Sequence, residues 1–205
     1  MELRNKYYGR GNDEKFCLDK YLTKSELQII CQTRFDSNEL EELRDCYVFA
    51  CFTGISMYDL LVMQDYDIYN LATRTFIKYY QYKTGMFRTV RLFDIPLAII
   101  RKYRGRFEQN QILPVSRFRG LGGPRKALNL LREIARSCGI NKALTFHVAH
   151  RTFMKTILLD NQIEFQLVQM ICCKNVEQSK IEELDMRQLV KKIRKMKMQF
   201  NLNNK

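Results

Sequence analysis

Leu144-Thr145-Phe146-His147-Val148-Ala149-His150-Arg151-Thr152-Phe153-Met154 contains both histidines of the chain, with an arginine beside them. A helical pattern of apolar residues runs on to Leu158. Residues four apart on a helix share a face, so His147 and Arg151 meet with His150 next to them. Histidine and arginine both donate hydrogen bonds to phosphate, so the stretch reads as a phosphate-gripping helix. The competing reading is structural: a histidine after Phe146 can belong to the core, satisfied by a backbone carbonyl.

The charge of the chain favours the first reading. The net charge is +13, and its distribution is uneven. Residues 1–100 hold 13 Lys and Arg against 14 Asp and Glu, a net of −1, whereas residues 101–205 hold 22 against 8, a net of +14. An excess confined to one half points to a polyanion partner, nucleic acid ahead of membrane, with a solvated basic surface as the alternative. A hydrophobic content of 46% with 12% aromatics fits a folded chain of one domain and excludes disorder. No apolar run has the length of a membrane span, and the first residues do not start a signal peptide. Seven scattered cysteines, only Cys172 and Cys173 adjacent, read as reduced thiols of a cytoplasmic protein rather than a disulfide framework.

Residues 1–21 read as a polar lead-in and 22–205 as the domain. Thr23-Lys24-Ser25-Glu26 has the form of a capping box before a short helix. Asn38-Glu39-Leu40-Glu41 opens a longer one, ended by Gly54, and Ser56 caps another that runs to Met63. From Thr73 the pattern becomes β-rich. Thr75–Tyr82 and Met86–Leu92 flank Lys83-Thr84-Gly85 and predict a hairpin. Asp94-Ile95-Pro96 opens a helix. Gly120–Pro124 reads as a linker before a helix at Arg125–Ser137. A short helix is expected at Phe165–Cys172, and an amphipathic one at Glu183–Phe200. The expected fold is therefore mainly α with a small antiparallel β-sheet or hairpin.

Four polar side chains stand out for chemistry: Lys83 on the hairpin turn, His147, His150 and Arg151. Lysine donates as a point charge, and arginine grips two phosphate oxygens at once. Together they can stabilise charge on a phosphoryl group. His147, His150 and Cys172-Cys173 lie in one region and raise a zinc reading, but adjacent cysteines lack the spacing of structural sites, so no metal is expected. Arg117, Arg119, Arg125 and Lys126 form a second basic group, expected to contact a DNA backbone.

The order of segments resembles a known family. Cys51-Phe52-Thr53-Gly54-Ile55-Ser56, Tyr82-Lys83-Thr84-Gly85, Ile112-Leu113-Pro114-Val115, Cys138–Lys142 and Leu144–Ala149 are similar to the tyrosine recombinases, or phage integrases, above all the branch on conjugative and mobilisable elements. The resemblance covers about residues 22–195, in the family's order and spacing. It implies a helical catalytic domain with a small sheet, gripping double-stranded DNA and cutting one strand through a 3′-phosphotyrosyl link, with no cofactor. Most members of the family also carry an N-terminal core-binding domain, and the expectation here is the catalytic domain alone.

Residue by residue, the resemblance implies a damaged site. Lys83 matches the hairpin lysine and His147 the first histidine. The first arginine falls at Ser56, with Arg44 a candidate substitute. The second arginine falls at His150, with Arg151 displaced by one place, a rotation of about 100° on a helix. The later histidine becomes Cys173, and the nucleophilic tyrosine becomes Glu182. The last tyrosine of the chain is Tyr103. The expectation is a DNA-binding, recombinase-like domain of a bacterial mobile element with degraded catalysis, whose C-terminal helix either docks on a neighbouring copy for self-association, as the family's does, or packs on its own domain. Its rivals are an active recombinase that takes its nucleophile from a partner, and a basic helical protein-interaction module that binds no DNA.

Overall fold

The structure, a computed structural model, describes residues 20–72, 74–107, 110–120 and 122–161. Residues 1–19 of the lead-in, the helices expected at Phe165–Cys172 and Glu183–Phe200, Cys173 and Glu182 lie outside the described residues.

One helix organises the core. From Cys46 to Phe52 the sequence has no polar residue, so a helix here is apolar on every side and must be covered all round. It is: α2 (Asn38–Thr53) buries every residue from Leu43 to Thr53. Around it pack α1 (Lys24–Gln32), α4 (Asp94–Tyr103), α5 (Gly123–Ser137) and α6 (Phe146–Thr152), with α3 (Met57–Leu60) a single turn in between. The Thr23–Glu26 capping box forms in full. Gly54 closes α2 in the left-handed conformation at φ 71°, where a side chain is disfavoured, and Ser56 caps α3. The expected helix from Ser56 to Met63 thus stops at Leu60, and a 3₁₀ turn follows at Asp65–Asp67.

The hairpin is one part of a three-stranded antiparallel sheet, β1 (Ile68–Leu71), β2 (Arg74–Gln81) and β3 (Met86–Leu92), in that order. Its turn is closed by the Gly85 N–H donating to the Gln81 carbonyl at 2.9 Å, with Gly85 at φ 70°. β1 has no counterpart in the sequence reading. The turn into β2 holds Ala72 at φ 52°, a residue type that does not advertise a left-handed turn.

Two other boundaries differ. The helix expected from Arg125 begins at Gly123, so Gly123 and Pro124 are helix rather than linker. A Cβ on Gly123 would lie 2.2 Å from the Phe118 carbonyl oxygen, so the close approach of these two backbones requires glycine. The opening stretch is helical to Leu158 as expected, but in two registers: α6, capped by the Thr145 hydroxyl, passes into a π-helical turn at Phe153–Leu158.

Candidate functional site

The segment between α2 and α3 is the hub on which the other pieces of the site are hung. The Gly54 carbonyl faces His150 Nδ1 at 2.9 Å, which ties the α2 terminus to α6. Two residues on, the Ser56 hydroxyl donates to Asp59 Oδ2 at 2.7 Å. Asp59 Oδ1 in turn accepts the backbone N–H of Tyr82 at 3.1 Å, one residue before Lys83. Asp59 is buried at 2% exposure, and desolvation raises its pKa against the lowering effect of these bonds. One short loop thereby holds His150 on α6 and the end of β2 that leads into Lys83. Asp59 escaped the sequence reading, although Ser56-Met57-Tyr58-Asp59 has the spacing of a capping box, which was a signal for it.

These pieces lie close enough for their charges to act on one another. His147 is exposed, and the desolvation it does undergo pushes its pKa down, followed by the charges of Arg151, His150 and Lys83. His150 is partly buried; its pKa is pushed down by burial first, then held up in part by the Gly54 carbonyl and lowered by Lys83 and Arg151. The structure therefore brings together Lys83, His147, His150 and Arg151.

The tautomer of His150 follows from its partner. A carbonyl accepts only, so Nδ1 carries the proton, and Nε2 of the neutral ring is left as an acceptor. At neutral pH the side chain at this position has neither the charge nor the outward donors of an arginine. The positive charge of the cluster comes from Lys83 and Arg151.

Arg44 is placed elsewhere. It is buried at 6% exposure, with Nε 2.5 Å from Asp45, one terminal nitrogen 2.6 Å from the Thr33 carbonyl and the other 3.3 Å from Glu41. Asp45 also accepts from Lys102 at 2.7 Å and from the Tyr103 hydroxyl at 2.8 Å. This network joins α1, α2 and α4, and it commits Arg44 to the interior. Tyr103, the last tyrosine, is committed too: burial and the Asp45 carboxylate make its hydroxyl much harder to ionise, so it is no ready nucleophile.

The second basic group gathers around the 3₁₀ turn Ser116–Phe118 and the start of α5. Arg117 pairs with Glu42 at 3.3 Å, Lys126 pairs with Glu39, and Arg119 donates to the Leu61 carbonyl. Three of the four thus hold α2 and the end of α3, and Arg125 is exposed beside them. No helix among the described residues is long and apolar enough to cross a membrane.

No protein-family model and no curated protein sequence matches the chain. Solved structures do. A XerA recombinase superposes with a TM-score of 0.57 at 16% identity, over 82% of this chain and 64% of that one. A XerH site-specific recombinase bound to difH substrate, a pre-cleavage complex, gives 0.56 at 15% over 89% and 57%. The XerH post-cleavage complex on a palindromic difH substrate gives 0.58 at 13% over 79% and 48%. The chain spans about half to two-thirds of the length of these recombinases. At such identities the likeness speaks for architecture: mainly helical around α2, with a small three-stranded sheet, the chain has the fold of tyrosine-recombinase catalytic domains.

Proposed function

We propose that this chain is a recombinase-like DNA-binding domain of a bacterial mobile element, which grips the duplex backbone and has lost most of its capacity to cut it. It acts in the cytoplasm, on the nucleoid, and resembles the conjugative and mobilisable-element branch. The observation that carries the reading is that the Gly54–Asp59 loop holds His150 and the Tyr82 backbone, so that Lys83, His147 and Arg151 lie within reach of one another's charges, on a fold shared with recombinases. Lys83 and Arg151 supply the cations for a phosphate, and neutral His147 can donate one hydrogen bond to it. Arg125, with Arg117, Arg119 and Lys126, extends the contact along the backbone.

Two features support lost chemistry. His150 stands where the resemblance expects an arginine and is neutral, which weakens stabilisation of a charged transition state. The resemblance puts Glu182 at the tyrosine position, and residues 104–205 contain no tyrosine. A carboxylate does not form the stable phosphotyrosyl link, so strand cleavage in cis lacks its nucleophile. Self-association through the C-terminal helix would then serve to pair bound sites rather than to exchange strands.

The test selects preferred duplexes from a random library with the purified chain, then offers them with a nick that traps any covalent intermediate. Salt-sensitive binding without a detergent-resistant adduct is expected. An adduct formed by the chain alone would overturn the loss of the nucleophile. One formed only with an added recombinase would establish donation by a partner, and binding indifferent to salt would leave a protein-interaction module.

A further inference from the structure

The outer face of the sheet takes no part in the site above. Register places Tyr69 opposite Phe76, Lys78 opposite Thr89 and Tyr80 opposite Phe87. Side chains alternate along a strand, so these pairs share one face while Ile77 and Tyr79 turn into the core. The face is aromatic and open: Tyr80 is 47% exposed and Phe87 64%. Tyr69 stacks on Phe76 with centroids 5.6 Å apart, and Tyr80 meets Phe87 edge-on at 5.4 Å. A shallow groove runs between the rings, lined by Tyr69, Lys78, Phe87 and Thr89.

The same face is basic. The Lys78 ammonium sits 5.2 Å from the Phe87 centroid, and the register adds Arg74 and Arg91. None of the residues of the three strands is Asp or Glu. Exposed rings interleaved with cations discriminate between occupants. A second copy of this chain would bring like charge to the face, since the protein carries a net +13. Duplex DNA offers phosphates but keeps its base faces stacked inside. A single strand offers both phosphates and free π-faces.

We infer that the outer face of the β-sheet is a platform for single-stranded nucleic acid, with Tyr80 and Phe87 stacking on unpaired bases and Lys78 and Arg74 holding the adjoining phosphates. The platform adjoins the Lys83 turn, since Gly85 and Met86 also line the groove, but it uses other side chains than the duplex grip, and its test reads base stacking rather than phosphate contact.

The chain has no tryptophan, so Phe87→Trp introduces a single fluorophore on the platform. Its emission is expected to be quenched by an oligothymidylate of about twenty nucleotides, and not by an abasic oligomer of equal length and charge. Tyr80→Ala/Phe87→Ala is expected to weaken oligothymidylate binding at least tenfold, since stacking contributes strongly per base. Binding of the abasic oligomer and of duplex is expected to stay unchanged, and Tyr80→Phe to retain full affinity. Equal quenching by the abasic oligomer, or unchanged oligothymidylate affinity in the double variant, would overturn the inference. So would a double variant that only alters self-association in sedimentation, which would put a second copy on the face.

Discussion

Replacing Gly54 with alanine probes the hub of the site with one methyl group. Gly54 sits at φ 71°, and a Cβ there would lie 2.5 Å from Cδ1 of Phe153. Left-handed backbone costs about 1–2 kcal/mol for a residue with a Cβ. Phe153 is 5% exposed in the π-helical turn and cannot swing into solvent, so displacing its ring costs roughly another 1–3 kcal/mol of overpacking. The expected destabilisation is therefore about 2–5 kcal/mol, a fall in Tm of roughly 4–20 °C for a chain of this size. Thermal and urea unfolding followed by circular dichroism measure it. The diagnostic step is a double-mutant cycle with Phe153→Leu. With the ring gone, Gly54→Ala should cost only its backbone strain, leaving a coupling of about 1 kcal/mol or more. Additive effects, or a single-mutant cost under about 0.5 kcal/mol, would refute the claim that α2 and α6 meet at this glycine.

Three further outcomes are expected. His150 has a folded pKa below its ordinary 6.5, so its stabilising effect is complete above that value and is lost as pH falls through and below it. Unfolding midpoints should therefore drop between pH 7.5 and 5.5, and duplex affinity should rise as the ring gains charge; both trends should shrink in His150→Gln. Arg44→Met should cost roughly 2–3 kcal/mol, below the usual range for a broken buried pair because Lys102 still pairs with Asp45. Duplex affinity of the folded Arg44→Met protein should be unchanged; a tenfold loss would mean that Arg44 reaches DNA after all. Asp59→Ala should weaken duplex binding by freeing the Tyr82 backbone, and it should add little to Lys83→Ala, whereas full additivity would show that Asp59 does not act through the hairpin.

What could be read from the sequence was whatever carries a local code. The Thr23–Glu26 box, Gly54 as a cap and the Lys83–Gly85 turn each declare themselves through side-chain chemistry. The features that escaped depend on distant partners. β1 is held by pairing with β2 across a turn without glycine or asparagine at Ala72. Gly123 is helical because Phe118 lies against it, which no neighbour in sequence reveals. The same applies to the site. Lys83, His147 and Arg151 were legible as residue types in a known order, whereas the inward turn of Arg44 rests on Asp45, Thr33 and Glu41 together. The neutrality of His150 rests on its burial, and the tautomer of its ring on a carbonyl 96 positions away.

The central claim is that Lys83 and Arg151 grip DNA phosphates. Its most direct test is the salt dependence of duplex binding, compared between the wild-type chain and Lys83→Ala/Arg151→Ala by filter binding. Each phosphate contact adds about 0.9 to the slope of log affinity against log salt concentration, so the double variant should show a slope shallower by about 2. An unchanged slope in the folded variant, or no salt dependence in the wild type, would contradict it.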